Sequence, residues 1–254
     1  MKLAAQLYTI RDFTKTPQDI RASLKKIKEI GYNAVQVSAF GPIDPQELKS
    51  YLDENGLELC VTHTPFDRII NDTANVIAEH KLWNCNYIGL GSKPGEFENT
   101  KEGYDKFLAT LSPALDKIYD SGLKFFYHNH RFEFMKIDGK RNGIEYMAAN
   151  TDPKKFGFLA DFYWVQAGGA SPTQFIETYA DRLQVVHFKD MIAVDHDSTT
   201  MTEIFEGNMD YQAIYDACLA NGIEWAAVEQ DVCPGDPFDS LKISFDNIKA
   251  HNMF

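Results

Sequence analysis

One phrase recurs along the chain and limits its fold more than any other feature. An amphipathic segment runs to a glycine, and a short, nearly continuous apolar run follows within a few residues. EIGYNAVQVSAF (29–40), ENGLELCVTHTPF (54–66), DSGLKFFYHNH (120–130) and ANGIEWAAVEQD (220–231) are four instances. Gly31, Gly56, Gly122 and Gly222 stand where a left-handed residue closes a helix. Thr16-Pro17, Asp44-Pro45 and Ser171-Pro172 each set a capping side chain before a proline suited to the first helical position, and Asp210 can cap the segment after it. Between such starts and stops, Ile20, Leu24, Ile27 and Ile30 recur at helical spacing, as do Leu108, Leu111, Leu115 and Ile118.

The apolar runs do not alternate cleanly, which predicts strands covered on both faces and so a parallel sheet. Eight are predicted, at 2–8, 33–39, 58–63, 86–91, 123–129, 156–161, 183–188 and 224–230. The helices after the fourth and fifth are the least distinct. Eight βα units in 254 residues is about 32 residues each, which predicts a closed (β/α)8 barrel. No composition shift marks a boundary, so residues 1–254 are read as a single domain. An open doubly wound sheet is the alternative.

Acidic residues outnumber basic ones, 37 to 25, for a formal net charge of −12. No basic excess is available to neutralise phosphates, so a nucleic-acid partner is not expected. No run approaches the roughly 18 apolar residues of a membrane span. The N-terminal apolar stretch is interrupted by Gln6 and ends at Arg11-Asp12, unlike a signal peptide. Cys60, Cys85, Cys218 and Cys233 form no CxxC pair and are read as free thiols. A cytoplasmic protein is expected.

Active sites of such barrels lie at the C-terminal ends of the strands. The predicted ends carry Gln6, Arg11, Gln36, His63, His128, His130, Glu133, Asp161, His187, Lys189 and Glu229. Four of the seven histidines fall there; His80, His196 and His251 do not. Because side chains repeat every two residues along a strand, His187 shares a face with Leu183, Val185 and Lys189, Glu229 with Trp225, Ala227 and Asp231, and Asp161 with Leu159. A carboxylate ending an apolar strand is expensive to bury unless a metal or a hydroxyl relieves it. Carboxylates with an imidazole suit Mn²⁺, Mg²⁺, Co²⁺ or Zn²⁺. Gly89-Leu90-Gly91 does not complete a dinucleotide fingerprint, since position 94 is Pro, and is read as loop. No Walker loop or nucleophile elbow occurs. Trp164, three residues after Asp161, can floor a sugar ring.

The ordered set AQLYTIRD (5–12), THTPF (62–66), FYHNHRFEF (126–134), LADFYWV (159–165), HFKDM (187–191), EGNMDY (206–211) and VEQD (228–231) resembles the sugar phosphate isomerase/epimerase family, the xylose isomerase-like TIM barrels. The resemblance covers essentially the whole chain. It implies one divalent metal held by Glu, Asp, His and Glu from the ends of strands 5 to 8. Asp161, His187 and Glu229 map directly. Tyr127 occupies the place of the first Glu, and the resemblance to relatives with YHNH-x-x-E assigns that ligand to Glu133. Mn²⁺ is the expected metal. Lys189 maps near the substrate, and Glu206 and Asn208 to a loop that closes over the site. Gln6, His63 and Trp164 complete the expected substrate contacts.

The implied chemistry is proton transfer on a sugar or cyclitol through an enediolate, giving isomerisation or epimerisation. Glu133, Glu229, His128 and His130 are the base candidates, with Lys189 beside them. A leaving group on the next carbon would make the same site a lyase or dehydratase, on an inosose or a 3-keto-glycoside. A non-catalytic sugar-binding barrel is a third reading. The loops after strands 7 and 8 are acidic and contain no Lys or Arg, so a neutral substrate is expected over a sugar phosphate. Arg11, Lys93 and Arg131 are the cations from which a phosphate clamp would have to be built. A homo-oligomer is compatible with the sequence.

Overall fold

The computed structural model describes residues 1–254. Eight parallel strands close into a barrel: β1 (Lys2–Gln6), β2 (Ala34–Val37), β3 (Glu58–His63), β4 (Tyr87–Leu90), β5 (Lys124–His128), β6 (Phe156–Asp161), β7 (Leu183–Phe188) and, as the eighth wall, β10 (Trp225–Val228). β1 pairs with both β2 and β10. That closure excludes the open sheet and leaves no strand edge free. The outer layer is α1 (Pro17–Ile30), α2 (Pro45–Asn55), α3 (Phe66–Asn71), α4 (Thr73–Leu82), α5 (Lys101–Asp120), α6 (Gly143–Ala149), α7 (Phe162–Ala167), α8 (Pro172–Tyr179), α9 (Tyr211–Ala220) and α10 (Pro237–Ala250). No helix is long and apolar enough to cross a membrane.

The punctuation acts locally as its chemistry dictates. The side chains of Thr16, Asp44, Ser171 and Asp210 accept from backbone N–H groups in the first turns of α1, α2, α8 and α9. Gly31, Gly56, Gly122 and Gly222 all have positive φ. The indistinct helices have physical reasons. α5 contains Pro113, and α6 is only seven residues long, started by an Asn142–Glu145 capping box. β1 stops at Gln6, short of the expected end, because the Gln6 side chain caps a 3-10 turn over Leu7–Phe13.

Two apolar layers sandwich the strands. Inside the barrel, Ala4, Ala34, Val61, Tyr87, Phe126, Leu159, Val185, Trp225 and Ala227 pack together. The opposite faces join the larger cluster beneath the helices. The inward positions then continue, two residues on, to Gln6, Gln36, His63, Gly89, His128, Asp161, His187 and Glu229. The strand period itself therefore aims these side chains at one place. Gly89 has no room for a side chain, since a Cβ there would lie 2.2 Å from the Thr62 carbonyl oxygen.

The sequence reading did not contain the antiparallel hairpin β8 (Asp190–Ala193) and β9 (Thr199–Thr202) on the rim after β7. Buried Asp190 organises it, accepting from the N–H groups of Met191, Phe205, Gly207 and Met209. Glu206 and Asn208, expected at the substrate, lie just after this hairpin. Asn208 accepts from Ala193 N–H at 2.8 Å, and Glu206 accepts from Asn247 of α10 at 2.9 Å. Both are exposed and neither lines the main cavity.

Candidate metal centre and active site

Four side chains from four consecutive walls bring donor atoms within 4.8 Å of one another: His128 (β5), Asp161 (β6), His187 (β7) and Glu229, just past β10. Asp161 and His187 are fully buried, and His128 and Glu229 are 3% and 4% exposed. His128 Nε2 lies 3.4 Å from Asp161 Oδ2; His187 Nδ1 lies 3.7 Å from that oxygen and 2.9 Å from Glu229 Oε2. A tetrahedral ion with bonds of about 2.1 Å separates its ligands by roughly 3.4 Å.

The imidazoles are oriented from outside. His187 Nε2 donates to Gln36 Oε1 at 2.8 Å, and His128 Nδ1 donates to the Gly91 carbonyl at 2.9 Å. Each partner fixes the tautomer that turns the other ring nitrogen toward the carboxylates. His187 Nδ1 approaches Glu229 closely yet has no hydrogen-bond partner. Gln6 Nε2 donates to Glu229 Oε1 at 3.0 Å, and the backbone N–H of Trp164 donates to Asp161 Oδ1 at 3.1 Å, leaving one oxygen of each carboxylate facing the cluster. Two imidazoles and two carboxylates with donor atoms within 4.8 Å of one another, each oriented by a supporting partner, fit a divalent ion.

Glu133, expected as a ligand, is not in this set. The chain turns into a 3-10 segment over Phe132–Phe134, and the Glu133 carboxylate tucks behind β5. There it accepts from Tyr127 Oη at 2.5 Å and from His130 N–H at 2.8 Å. Burial pushes its carboxyl up to about 7 against those hydrogen bonds. Its place in the cluster is taken by His128, which the sequence reading offered only as a base.

Lys189 lies beside the cluster, 1% exposed. Its Nζ is 3.3 Å from Asp161 Oδ2, 3.1 Å from Glu229 Oε2 and 2.8 Å from Asp231 Oδ2, and 5.4 Å from the centre of the Trp164 ring. Burial opposes its charge, but the three carboxylates override that and hold its pKa above the ordinary value. Burial likewise opposes the charges of Asp161 and Glu229, yet Lys189 and the imidazoles keep both below the usual carboxylate range. Burial would also lower His187, but Glu229 and Asp161 raise it to about 9.

A cavity of about 450 Å³ opens above the cluster. Its reactive wall is His128, His130, Lys189, Glu229 and Asp231; Tyr8, Ser38, His63, Pro65, Phe66 and Pro94 line the other side. His63 Nε2 and His130 Nδ1 are buried without partners. Burial, then neighbouring imidazoles, lowers the pKa of both rings, that of His130 to about 3, so both are neutral at neutral pH. Of the expected substrate contacts, His63 reaches the cavity, Gln6 supports Glu229, and Trp164 lies against Lys189 and His130. No arginine lines the cavity. Arg11 donates to the carbonyls of Tyr8 and Asp231, and Lys93 is buried with its ammonium on the Phe97 carbonyl. Asp231, which sequence reasoning noted only as a face-mate of Glu229, contributes a cavity-lining carboxylate. Gly91 is more than loop, because a Cβ there would lie 3.1 Å from the His63 ring and its carbonyl orients His128.

A family model described as xylose isomerase-like TIM barrel matches residues 24–242. The chain belongs to that family. Among curated relatives, the inosose dehydratase of Lactiplantibacillus plantarum is 26% identical, the match covering 92% of this chain and 89% of that protein. The inosose dehydratase of Lacticaseibacillus casei is 22% identical over 82% of each. Among solved structures, a sugar phosphate isomerase/epimerase from Parabacteroides distasonis superposes with a TM-score of 0.80 at 23% identity, covering 98% of this chain and 97% of that one. This xylose isomerase-like barrel thus matches the two dehydratases over most of its length and shares its fold with the Parabacteroides distasonis protein.

Proposed function

We propose that the protein is a metal-dependent lyase that removes water, or a related oxygen leaving group, from a neutral keto-cyclitol or keto-sugar. The observation that carries this reading is the His128–Asp161–His187–Glu229 cluster at the floor of a cavity whose wall holds both proton acceptors and an ammonium. The two dehydratase relatives, matched over most of the chain, support elimination. A divalent ion held by those four residues supplies Lewis acidity toward a substrate carbonyl. His130 Nδ1, neutral and unpartnered, accepts the proton from the carbon beside the carbonyl. The electron pair of that C–H bond passes to the carbonyl and then returns to form the alkene as the next C–O bond breaks. Lys189 Nζ gives the departing oxygen its proton, so that water leaves. Phe66, Pro65 and Tyr8 limit water around the reacting carbons.

Isomerisation or epimerisation is the second reading, favoured by His63 Nε2, a second unpartnered acceptor on another wall. Incubation of the Mn²⁺-loaded protein with an inosose in D₂O, followed by NMR and mass spectrometry, separates them. The lyase yields a product lighter by one water. An isomerase returns the original mass with deuterium added. An inosose and a 3-keto-hexose both recovered without deuterium or loss of water would overturn both readings. The donor set suits Mn²⁺, Co²⁺ or Zn²⁺, and elemental analysis of protein purified without added metal identifies the resident ion.

A further inference from the structure

Lys189 contacts two kinds of carboxylate. On one side are Asp161 Oδ2 and Glu229 Oε2, the same oxygens that edge the metal cluster; on the other is Asp231 Oδ2, outside it. A divalent ion and an ammonium cannot both be served fully by the first pair. Asp231 offers the ammonium its shortest contact and faces the cavity with a second, buried oxygen that has no partner. Its backbone is anchored, since Arg11 donates to the Asp231 carbonyl at 3.1 Å. Charges also balance across the group. Asp161, Glu229 and Asp231 carry three negative charges and Lys189 one positive, so a divalent ion brings the total to zero.

We propose that Asp231 is a positioning residue that draws the Lys189 ammonium off Asp161 and Glu229, clearing those oxygens for the metal and leaving the ammonium against the cavity. The inference rests on the metal-binding reading above. In the metal-free protein Lys189 is the internal cation that holds the carboxylates together; with metal bound, Asp231 becomes its main partner. Without Asp231, Lys189 has only the metal's own ligands to bind and competes with the metal.

The test is a double-mutant cycle read by metal affinity, without any substrate. Mn²⁺ and Zn²⁺ dissociation constants are measured by calorimetry or chelator competition for wild type, Asp231→Asn, Lys189→Met and the double variant. Folding is checked by circular dichroism, and Asp231→Ala serves as a second variant. Asp231→Asn is expected to weaken metal binding tenfold or more, and Lys189→Met to strengthen it by a similar factor. In the Lys189→Met background the Asp231 substitution should change affinity less than threefold. An Asp231 effect that persists undiminished there would be through-space charge loss, and the inference falls while the metal reading stands. Wild-type protein that binds neither ion overturns both.

Discussion

His80 is the one buried histidine away from the cavity. Its Nδ1 donates to the Val76 carbonyl and its Nε2 accepts from the Thr62 hydroxyl, at 2.7 and 2.8 Å. Burial lowers its pKa from 6.5 to about 4. The unfolded chain therefore takes up a proton first as pH falls. The stabilisation is complete above pH 6.5 and is lost as pH falls toward 4, by on the order of 3 kcal/mol. Urea unfolding at pH 7, 6 and 5 should show wild type losing more stability than His80→Gln across that interval; parallel curves would refute the assignment. At the same scale, His128 occupies the place in the cluster that the sequence suggests for Glu133, and Glu133 lies behind β5. His128→Ala should weaken metal binding by more than the roughly 10–100-fold typical of losing a supporting partner, and Gln36→Leu by about that amount. Glu133→Gln should leave metal affinity unchanged. The two roles could not be told apart from sequence, because they depend on the Gly91 carbonyl of the neighbouring strand and on the turn that carries Glu133 behind β5.

Among the elements, the β8–β9 hairpin is the departure from the βα repeat. Its strands are four residues each, DMIA and TTMT, and the second is too polar to stand out from a loop. What holds it is one carboxylate meeting N–H groups up to 19 residues away. Such an arrangement leaves no periodic trace in the sequence. Asp190→Ala should strip partners from several backbone donors and destabilise the protein by about 2–3 kcal/mol, lowering the melting temperature by roughly 4–12 °C. Limited proteolysis should then cut first between residues 190 and 209. Melting unchanged from wild type would mean the hairpin is held by other contacts. The barrel elements were legible because their signals are local. Caps, left-handed glycines and apolar runs lie within a few residues of what they determine, and strand parity carries Asp161, His187 and Glu229 inward on the same faces as Leu159, Val185 and Ala227.

At the scale of the whole molecule, charge and cavity act together. The chain carries a net charge of −12, the cavity's one lysine is held by three carboxylates, and Arg11 and Lys93 are committed to backbone carbonyls. Arg131 is exposed and does not line the cavity, so a substrate phosphate would meet a negative field with no free cation in the cavity wall. For a matched pair of substrates, the unphosphorylated member should have the higher kcat/KM. A tenfold preference for the phosphate, about 1.4 kcal/mol of transition-state binding, would reverse the assignment. The barrel shaft is blocked below the cluster by Tyr87, Phe126 and Trp225, so everything that reaches the floor passes one mouth. A substrate seated above the ion is then a cork. On the proposed metal reading, the ion would load before substrate and leave after product, and a bound polyol is expected to slow metal loss to a chelator.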